Sequence, residues 1–353
     1  MRNPFVMDCG EYHVNYKQDM AIWKISRVRM RIFAIVLLFA IFPLFASEYI
    51  VGLATLCGIA AIGAIGLNIL TGFTGQISIG VGAFLGVGGY TSAILTTKIG
   101  LSFWVAMPVA GIVTALIGAL FGIPSLRLKG LYLAIATLAA QVIILFVISR
   151  WDSLTGGTAG LVLNRPEIGS FSFYSETSYY YLMFVILVAT VLFSLNLFRS
   201  RVGRAFIAVR DRDVAAEVIG IDLFKYKVLA FFVSSFFVGI AGALLGHYMM
   251  VVSPELYSTT VSIEYLAMIL VGGLGSVFGS IYGAVFITLL PVILRSVIEV
   301  FSGIFPDLAD VLNGLKEVVF GLVIIIFLIY EPQGLAKIWQ NIKDYFKLWP
   351  FSY

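Results

Sequence analysis

The sequence has few charged residues: Asp, Glu, Lys and Arg make up 12% of its 353 residues. Hydrophobic residues make up 60%, and the mean hydropathy is +1.02. A chain of this composition cannot cover a soluble core with a polar surface, which excludes a water-soluble domain. Its apolar runs are continuous and do not alternate with polar residues, which excludes a transmembrane β-barrel. The composition therefore predicts an all-α integral membrane protein that folds as a polytopic helical bundle.

Cysteine and histidine are also scarce, and each occurs twice, as Cys9, Cys57, His13 and His247. Their spacing predicts neither a disulfide framework nor a metal site. We interpret His247, which falls inside an apolar run, as a helix-contact residue rather than a ligand. The net charge of +4 indicates no nucleic-acid partner, because basic residues in a membrane protein are distributed by the side of the membrane they occupy.

The dipeptide Gly-Lys does not occur, so the chain cannot form a P-loop. If ATP drives transport, the nucleotide must bind another chain, and no cofactor is predicted for this one. The ionisable residues closest to the spans fall near predicted span ends, and they are Glu48, Glu264, Arg295 and Glu299. This placement disfavours an ion-coupled carrier, which needs charges at membrane depth.

Long apolar runs predict about ten spans (8–10), each of about 20 residues. The predicted spans are 32–46, 50–70, 77–97, 103–123, 131–149, 179–198, 228–252, 262–271, 277–294 and 312–330. The short segment 262–271 is either a span or a re-entrant helix. With both termini inside, the only basic residues placed outside are Lys98, Arg150, Arg165, Arg295 and Lys316. Because Lys and Arg concentrate in cytoplasmic segments, we predict cytoplasmic N- and C-termini.

This predicted topology divides the chain into a cytoplasmic polar leader (1–31), a transmembrane domain (32–335) and a cytoplasmic tail (336–353). Within the transmembrane domain, 150–178 is a loop on the outer side of the membrane. Its Thr155-Gly-Gly-Thr158 run is either a flexible turn or a backbone surface that meets a ligand or partner. The longest charged interruption, 199–227, is a cytoplasmic loop rich in arginine.

The 199–227 loop contains its own helix signals. Asp213 can cap a turn that starts at Val214, Val214 and Val218 then share one face, and Gly220 can end the turn. Two interpretations are open from these residues alone. The loop is either a solvated basic connection or a docking helix for a cytoplasmic partner.

Glycine is dense in 68–91 and again in 269–283. Pairs four residues apart, such as Gly82 with Gly86 and Gly242 with Gly246, predict close helix packing. The pattern ILxGxxG occurs at both 69–75 and 269–275. Paired glycine-interrupted segments are typical of a transport site at broken helices, although coincidence in a glycine-rich chain is the alternative. In the predicted membrane topology, the two copies run in the same direction.

Uncharged polar side chains also fall within these spans, and each costs free energy in a bilayer unless it is paired. They suit either the lining of a pathway for a neutral or zwitterionic solute, or interhelical hydrogen bonds that hold the bundle. The candidate pathway residues are Asn68, Thr71, Gly72, Thr74, Gly75, Gln76, Ser78, Tyr90, Gln141, Gly272 and Gly275.

In chain order, six stretches together resemble the permeases of bacterial branched-chain amino-acid ABC importers, and the LivM-type subunit most closely. They are GLNILTGFTGQISIGVGAFLGVGGYTSA (66–93), LKGLYLAIATLA (128–139), TGGTAGL (155–161), GRAFIAVRDRDVAAEVIGID (203–222), ILVGGLGSVFGSIYGA (269–284) and PQGL (332–335). The leader, 1–30, has no counterpart in the family pattern.

The resemblance implies a multi-pass permease of the bacterial inner membrane. It pairs with a second homologous permease, two cytoplasmic ATPase subunits that bind ATP and Mg, and a periplasmic solute-binding protein. A cytoplasmic helix of such permeases sits in a groove of the ATPase, and 203–222, here called the coupling segment, matches it. The residues assigned to coupling are Gly203, Arg204, Arg210, Asp211, Ala215, Ala216, Glu217 and Gly220.

The implied function is not enzymatic: the subunit moves branched-chain amino acids, or related small neutral or zwitterionic solutes, by alternating access that the partner ATPases drive. A urea or short-amide permease of the same class is one alternative. A passive channel for small neutral solutes is another, since glycine-rich polar spans would also serve it. A secondary transporter is disfavoured by the predicted absence of charges at membrane depth.

Overall fold

A computed structural model describes residues 26–128, 130–168, 171–304, 318–319, 321–322, 324–327, 329–331 and 334–348. The chain divides into two compact units, 1–47 and 48–353. In the first unit, helix α1 (Ser26–Ile41) leads into a 3₁₀ turn, Phe42–Leu44. This helix begins within the basic cluster, earlier than the predicted span 32–46. The remainder of the predicted leader, 1–25, lies outside the described residues.

The second unit is helical. Its helices are α2 (Glu48–Asn68), α3 (Val81–Thr97), α4 (Phe103–Gly122), α5 (Leu131–Arg150), α6 (Asp152–Thr155), α7 (Glu176–Arg199), α8 (Arg201–Asp211), α9 (Asp213–Val218), α10 (Leu223–Met249), α11 (Thr259–Gly272), α12 (Val277–Ile304) and α13 (Leu335–Leu348). The described residues between 318 and 330 are also helical. α2 continues into a π-helical turn, Ile69–Phe73.

Two short strand pairs depart from the all-α prediction. β1 (Leu161–Val162) pairs antiparallel with β4 (Val251–Val252), so that Leu161 lies opposite Val252. β2 (Glu167–Ile168) pairs antiparallel with β3 (Phe171–Ser172). Both pairs lie in loops that connect helices, so the protein remains a helical bundle.

Among the described residues, six helices are long and apolar enough to cross a membrane. They are Glu48–Phe73, Phe103–Gly122, Leu131–Arg150, Glu176–Arg199, Leu223–Met249 and Val277–Ser296, and two shorter apolar helices are Ala34–Leu44 and Val81–Thr97. These confirm a multi-pass helical membrane protein, whereas the total of about ten spans stays a prediction.

Two predicted span boundaries were wrong, and the segment 262–271, predicted as either a span or a re-entrant helix, is too short for a span. The span at 77–97 starts at Val81, because residues 75–80 are not helical after the break at the end of α2. The segment 262–271 is the helix α11, whose 14 residues are too few to cross a bilayer. The span at 277–294 extends to Ile304. Hydrophobic periodicity identifies helices and strands but gives no signal for a non-helical break between them, so the sequence did not show where α3 begins.

The loop 150–178 is packed against the bundle, which contradicts the flexible-turn interpretation of Thr155 to Thr158. Thr155 is buried, and its hydroxyl donates to the carbonyls of Ile148 (2.6 Å) and Trp151 (2.8 Å). A Cβ added at Gly160 would overlap the Val252 carbonyl. The loop is therefore held to the strand pair formed by β1 and β4.

α10 lies at the centre of the second unit and packs against α2, α3 and α4. The approach is close because glycines face one another: a Cβ at Gly88 would overlap the backbone of Gly239, and a Cβ at Gly242 would overlap the Leu85 carbonyl. A Cβ at Gly283 would likewise overlap the Met268 carbonyl between α11 and α12. The predicted packing role of the glycine pairs is confirmed.

The two ILxGxxG segments run in the same direction, as the membrane topology predicted from the sequence requires. Gly63 lies against Tyr265, and further along both helices Gly72 lies against Gly275. Because the contacts advance together along α2 and α11, the two helices are parallel and end at the same place.

Replacing Gly88 by Ala should destabilise the protein by about 1–3 kcal/mol, because the new methyl group enters the backbone of α10 where nothing can move aside. The control is Gly321→Ala, since no described residue lies within 4 Å of a Cβ at Gly321. Thermal unfolding of the purified variants in detergent measures the difference. Equal melting temperatures would contradict the packing described here.

Candidate functional site

The two glycine motifs meet through Asn68, which is 1% exposed at the end of α2. Its Nδ2 donates to the Ser276 carbonyl (2.9 Å) and the Ser280 hydroxyl (2.7 Å). Its Oδ1 accepts from the backbone N–H of Gly275 at 3.0 Å. A Cβ at Gly72 would overlap both Asn68 Oδ1 and Gly275 N. We call Asn68, Gly72, Gly275, Ser276 and Ser280 the glycine junction.

Arg210 of the coupling segment reaches this junction. Its Nη1 donates to the Gly72 carbonyl at 3.1 Å, and the same guanidinium pairs with Asp211 at 2.9 Å. Carbonyls at the end of a helix lack intrahelical partners, so Gly72 is available to accept this bond. Gly75 has φ +73°, and a Cβ there would lie 3.0 Å from Arg210 Cγ. A Cβ at Gly275 would lie 3.2 Å from Arg210 Nη1.

A hydrophobic contact fixes α8 beside the same break. Phe206 is fully buried in a cluster with Ile69, Leu70 and Phe231. Gly203 lies so close to Leu197 and Phe198 that a Cβ would overlap their backbone. α8 is therefore joined to the end of α2 by apolar packing as well as by Arg210. We call this end of the bundle the coupling face.

The second helix of the coupling segment, α9, starts one residue earlier than predicted, at Asp213. The Asp213 carboxylate accepts from the N–H of Val214 at 2.9 Å, and Gly220, with φ +88°, follows the helix as predicted. Val214 and Val218 are 67% and 83% exposed, and Ile219 is 74% exposed. α9 therefore presents an apolar face away from the bundle.

The remaining coupling residues have different surroundings. Ala216 is 2% exposed and anchors α9, whereas Ala215 and Glu217 are exposed. Arg204 is exposed and donates to the Arg199 carbonyl at 3.0 Å. Lys227 Nζ lies 3.8 Å from Asp213 Oδ2, at the side of an open cleft of about 660 Å³ that Glu217 and Asp222 also line.

The break between α2 and α3 is held by its own polar side chains. The Thr71 hydroxyl donates to the Gln76 carbonyl (3.1 Å), and the Thr74 hydroxyl donates to the Ile69 carbonyl (3.0 Å). Gln76 Nε2 reaches the Lys227 carbonyl at 3.5 Å. Ser78, also buried, accepts from the N–H of Gly80 at 3.4 Å. These candidate pathway residues are buried and each makes a hydrogen bond within the bundle, although the Gln76 Oε1 has no partner among the described residues.

A second polar group lies where α11 begins. Gln141 donates to the Tyr257 carbonyl (3.4 Å) and accepts from the Ser262 hydroxyl (2.6 Å), which itself accepts from the N–H of Gly82 (2.7 Å). The rings of Tyr90 and Tyr257 have centroids 6.2 Å apart. Neither tyrosine hydroxyl has a hydrogen-bond partner within the described part of the chain, although both are buried.

The candidate pathway residues therefore fall into three groups, of which the first holds the break between α2 and α3 and contains Thr71, Thr74, Gln76 and Ser78. Asn68, Gly72, Gly75 and Gly275 meet at the coupling face, and Gly272 packs there against Gly279. Tyr90 and Gln141 belong to the separate group around Ser262. The sequence offered no signal for Ser262 or Tyr257, because their partners are far away along the chain.

A charged cluster at the opposite end of the bundle also escaped sequence reasoning. Arg165 pairs with Glu176 at 2.6 Å, and Glu176 accepts from the Tyr248 hydroxyl at 2.9 Å. The Arg165 guanidinium carbon lies 5.7 Å and 5.4 Å from the ring centroids of Tyr179 and Tyr248. These contacts fasten the loop 150–178 to α7 and α10.

His247 is a helix-contact residue, as predicted. Its Nε2 lies 3.0 Å from the Ser92 hydroxyl, and its Nδ1 lies 2.9 Å from the Asn164 carbonyl. It joins α3 and α10 to the loop beside the Arg165 cluster.

Replacing Asn68 by Ala should destabilise the protein by about 1–3 kcal/mol, because buried groups at the glycine junction lose their hydrogen-bond partner. Asn196→Ala, at an exposed position of α7, is the matched control and should change stability by less than about 0.5 kcal/mol. Thermal unfolding in detergent compares the two. Equal stability of the two variants would mean that Asn68 does not hold the motifs together.

Comparisons with known proteins agree with this architecture. The family described as "Branched-chain amino acid transport system / permease component" matches residues 49–328. The high-affinity branched-chain amino acid transport system permease protein LivM of Salmonella typhimurium is 32% identical over 336 residues, which cover 88% of this chain and 76% of that protein. LivM of Escherichia coli is 32% identical over 337 residues, with the same coverage.

A more distant relative is the probable branched-chain amino acid transport permease protein LivH of Methanocaldococcus jannaschii. It is 25% identical over 294 residues, which cover 79% of this chain and 89% of that protein. The resemblance that the motifs carried is confirmed, and the chain belongs to the family of permease components of branched-chain amino acid transport systems.

Proposed function

We propose that this permease is the LivM-like subunit of a binding-protein-dependent ABC importer for branched-chain amino acids. In the bacterial inner membrane it pairs with a second homologous permease, two cytoplasmic ATPases that bind ATP and Mg, and a periplasmic solute-binding protein. It crosses the membrane about ten times with both termini in the cytoplasm. The observation that carries the proposal is the link from the coupling segment to the glycine junction through Arg210.

The apolar face of α9 supports docking of an ATPase. Val214, Val218 and Ile219 are mostly exposed on a segment that is otherwise rich in charge. Burying one such side chain in a partner's groove contributes about 1.5–3 kcal/mol. A solvated connection between spans has no need of this face, so docking is favoured over the solvated-loop interpretation.

In the proposed mechanism, Arg210 transmits movement of the ATPases from the coupling segment to the bundle. When ATP closes the partner ATPases, α9 moves with them, and the rigid attachment of α8 carries the motion to Gly72. The junction couples both broken helices, so a displacement there shifts α2 and α11 together. In this mechanism the bundle alternates between outward and inward access because the ATPases bias one of two arrangements.

The function is tested by co-purifying the chain with its neighbouring subunits and measuring ATPase stimulation by leucine, isoleucine, valine and urea with the binding protein. We expect stimulation by the branched-chain amino acids. Stimulation by urea alone would favour the short-amide alternative. Solute flux through the chain without ATPases would favour a passive channel, and gradient-driven uptake without them would favour a secondary transporter.

Replacing Val218 by Asp should lower co-purification of the ATPase by about tenfold or more, since a carboxylate then enters an apolar contact. Val162→Asp is the control, because Val162 is 79% exposed in the loop at the other end of the bundle. Both variants should insert normally in the membrane. Undiminished ATPase recovery with Val218→Asp would place the docking surface elsewhere.

Replacing Arg210 by Gln should leave the complex assembled but reduce uptake per ATP hydrolysed by about tenfold, because the charge-assisted bond to Gly72 contributes about 1.5–3 kcal/mol. The control is Arg201→Gln, whose arginine is exposed at the start of α8 and is not among the residues assigned to coupling. Uptake and ATPase rates in proteoliposomes measure the ratio. If Arg210→Gln matches the control, Arg210 does not transmit the motion.

A further inference from the structure

Glu264 lies at the middle of the membrane-spanning bundle. It follows by two residues Ser262, which belongs to the polar cluster with Gln141 and Tyr257. Ser262 bonds to Gln141, which is about 15 Å from each end of α5 at the usual rise of a helix. Tyr265 packs on Gly63, which is about 15 Å from Phe73, where the π-helical turn that continues α2 ends, and about 22 Å from Glu48 at the other end of α2. Two neighbouring helices therefore place Glu264 at the same depth.

This placement corrects the prediction that Glu264 falls near a span end. The prediction assumed that each apolar run starts at the membrane surface. The chain instead descends from β4 through the 3₁₀ turn Pro254–Tyr257, so α11 begins inside the bundle. An acidic residue close to the start of α11 is consequently deep in the membrane.

The Glu264 carboxylate lacks a counter-charge in the part of the chain that the structure describes. Glu264 is half-buried, and no hydrogen bond or ion pair joins it to another described residue. A charged side chain at the bilayer centre costs several kcal/mol and faces a partner or a water-filled cavity rather than lipid. Its surroundings therefore call for a cation or a solvated pathway outside the described part of the chain.

The same side of α11 combines three kinds of group. Thr260 is one helical turn before Glu264 and is exposed, and Ile263 is 55% exposed beside it. A hydroxyl, an aliphatic side chain and a carboxylate are complementary to a small zwitterion with an aliphatic side chain. A neutral amide has no ammonium group for the carboxylate.

We infer that Glu264 binds the ammonium group of the amino acid as it passes between this subunit and the second permease. This inference rests on the proposed function, since it requires a zwitterionic solute and a pathway that α11 borders. Ile263 and Thr260 contact the rest of the solute. The site is weak, because a solute that must leave the pathway is held by few groups.

The test uses the assembled complex in proteoliposomes with leucine-loaded binding protein. Glu264→Gln should lower the leucine uptake rate by about tenfold, the loss expected for a hydrogen bond to a charged group. Glu264→Asp, which keeps the carboxylate, should restore part of the rate. Glu167→Gln, at an exposed loop position, is the matched control. Stimulated ATPase activity, subunit recovery and melting temperature should be unchanged in all variants.

Three results would overturn the inference. Uptake by Glu264→Gln equal to that of Glu167→Gln would mean that the carboxylate takes no part in transport. Loss of the second permease during purification would mean that Glu264 pairs with a basic side chain of that subunit. A lower melting temperature of the isolated subunit would assign Glu264 a structural role. Absence of leucine uptake by the unsubstituted complex would instead count against the proposed function.

Discussion

The structure depends on the close approach of two helix ends, which only glycine permits. Gly72 and Gly275 bring the ends of α2 and α11 into backbone contact, and Asn68 replaces the hydrogen bonds that the broken helices lose. In a bilayer, backbone groups left unpaired would cost several kcal/mol each, so a break is tolerated only where a side chain satisfies it. Arg210 completes the arrangement from outside the bundle.

Charge is concentrated at the two ends of the bundle, with a different consequence at each. At the coupling face, the coupling segment exposes both charged and apolar side chains, which suits contact with another protein. At the opposite end, Arg165, Glu176 and Tyr248 satisfy one another and hold a loop in place. Glu264 is exceptional because it lies between these ends without a match among the described residues.

Family membership and the Arg210 link together support transport by an ABC importer. The proposed position of Glu264 removes one reason for setting aside an ion-coupled carrier. Most of the predicted polar pathway residues are bonded inside the subunit, so these polar groups first stabilise the bundle; the Tyr90 hydroxyl and the Gln76 Oε1 have no hydrogen-bond partner among the described residues. This does not oppose a pathway role, because a pathway between two permeases needs the surface of both. α11 ends at the glycine junction and has an exposed side, and the solute contact proposed above lies on that side.

The sequence by itself determined the class of protein, most of the helices and the family, because long apolar runs and glycine-rich motifs are local patterns. It also predicted that the two ILxGxxG segments run in parallel. Only the tertiary structure decided that these segments touch, that Arg210 joins them and that α11 starts at mid-depth. Contacts such as Asn68 with Ser280 or Gln141 with Ser262 join residues far apart in the chain, and no local pattern records them. The position of a helix along the bundle is likewise set by its neighbours, so an apolar run alone does not show how far Glu264 lies from a span end.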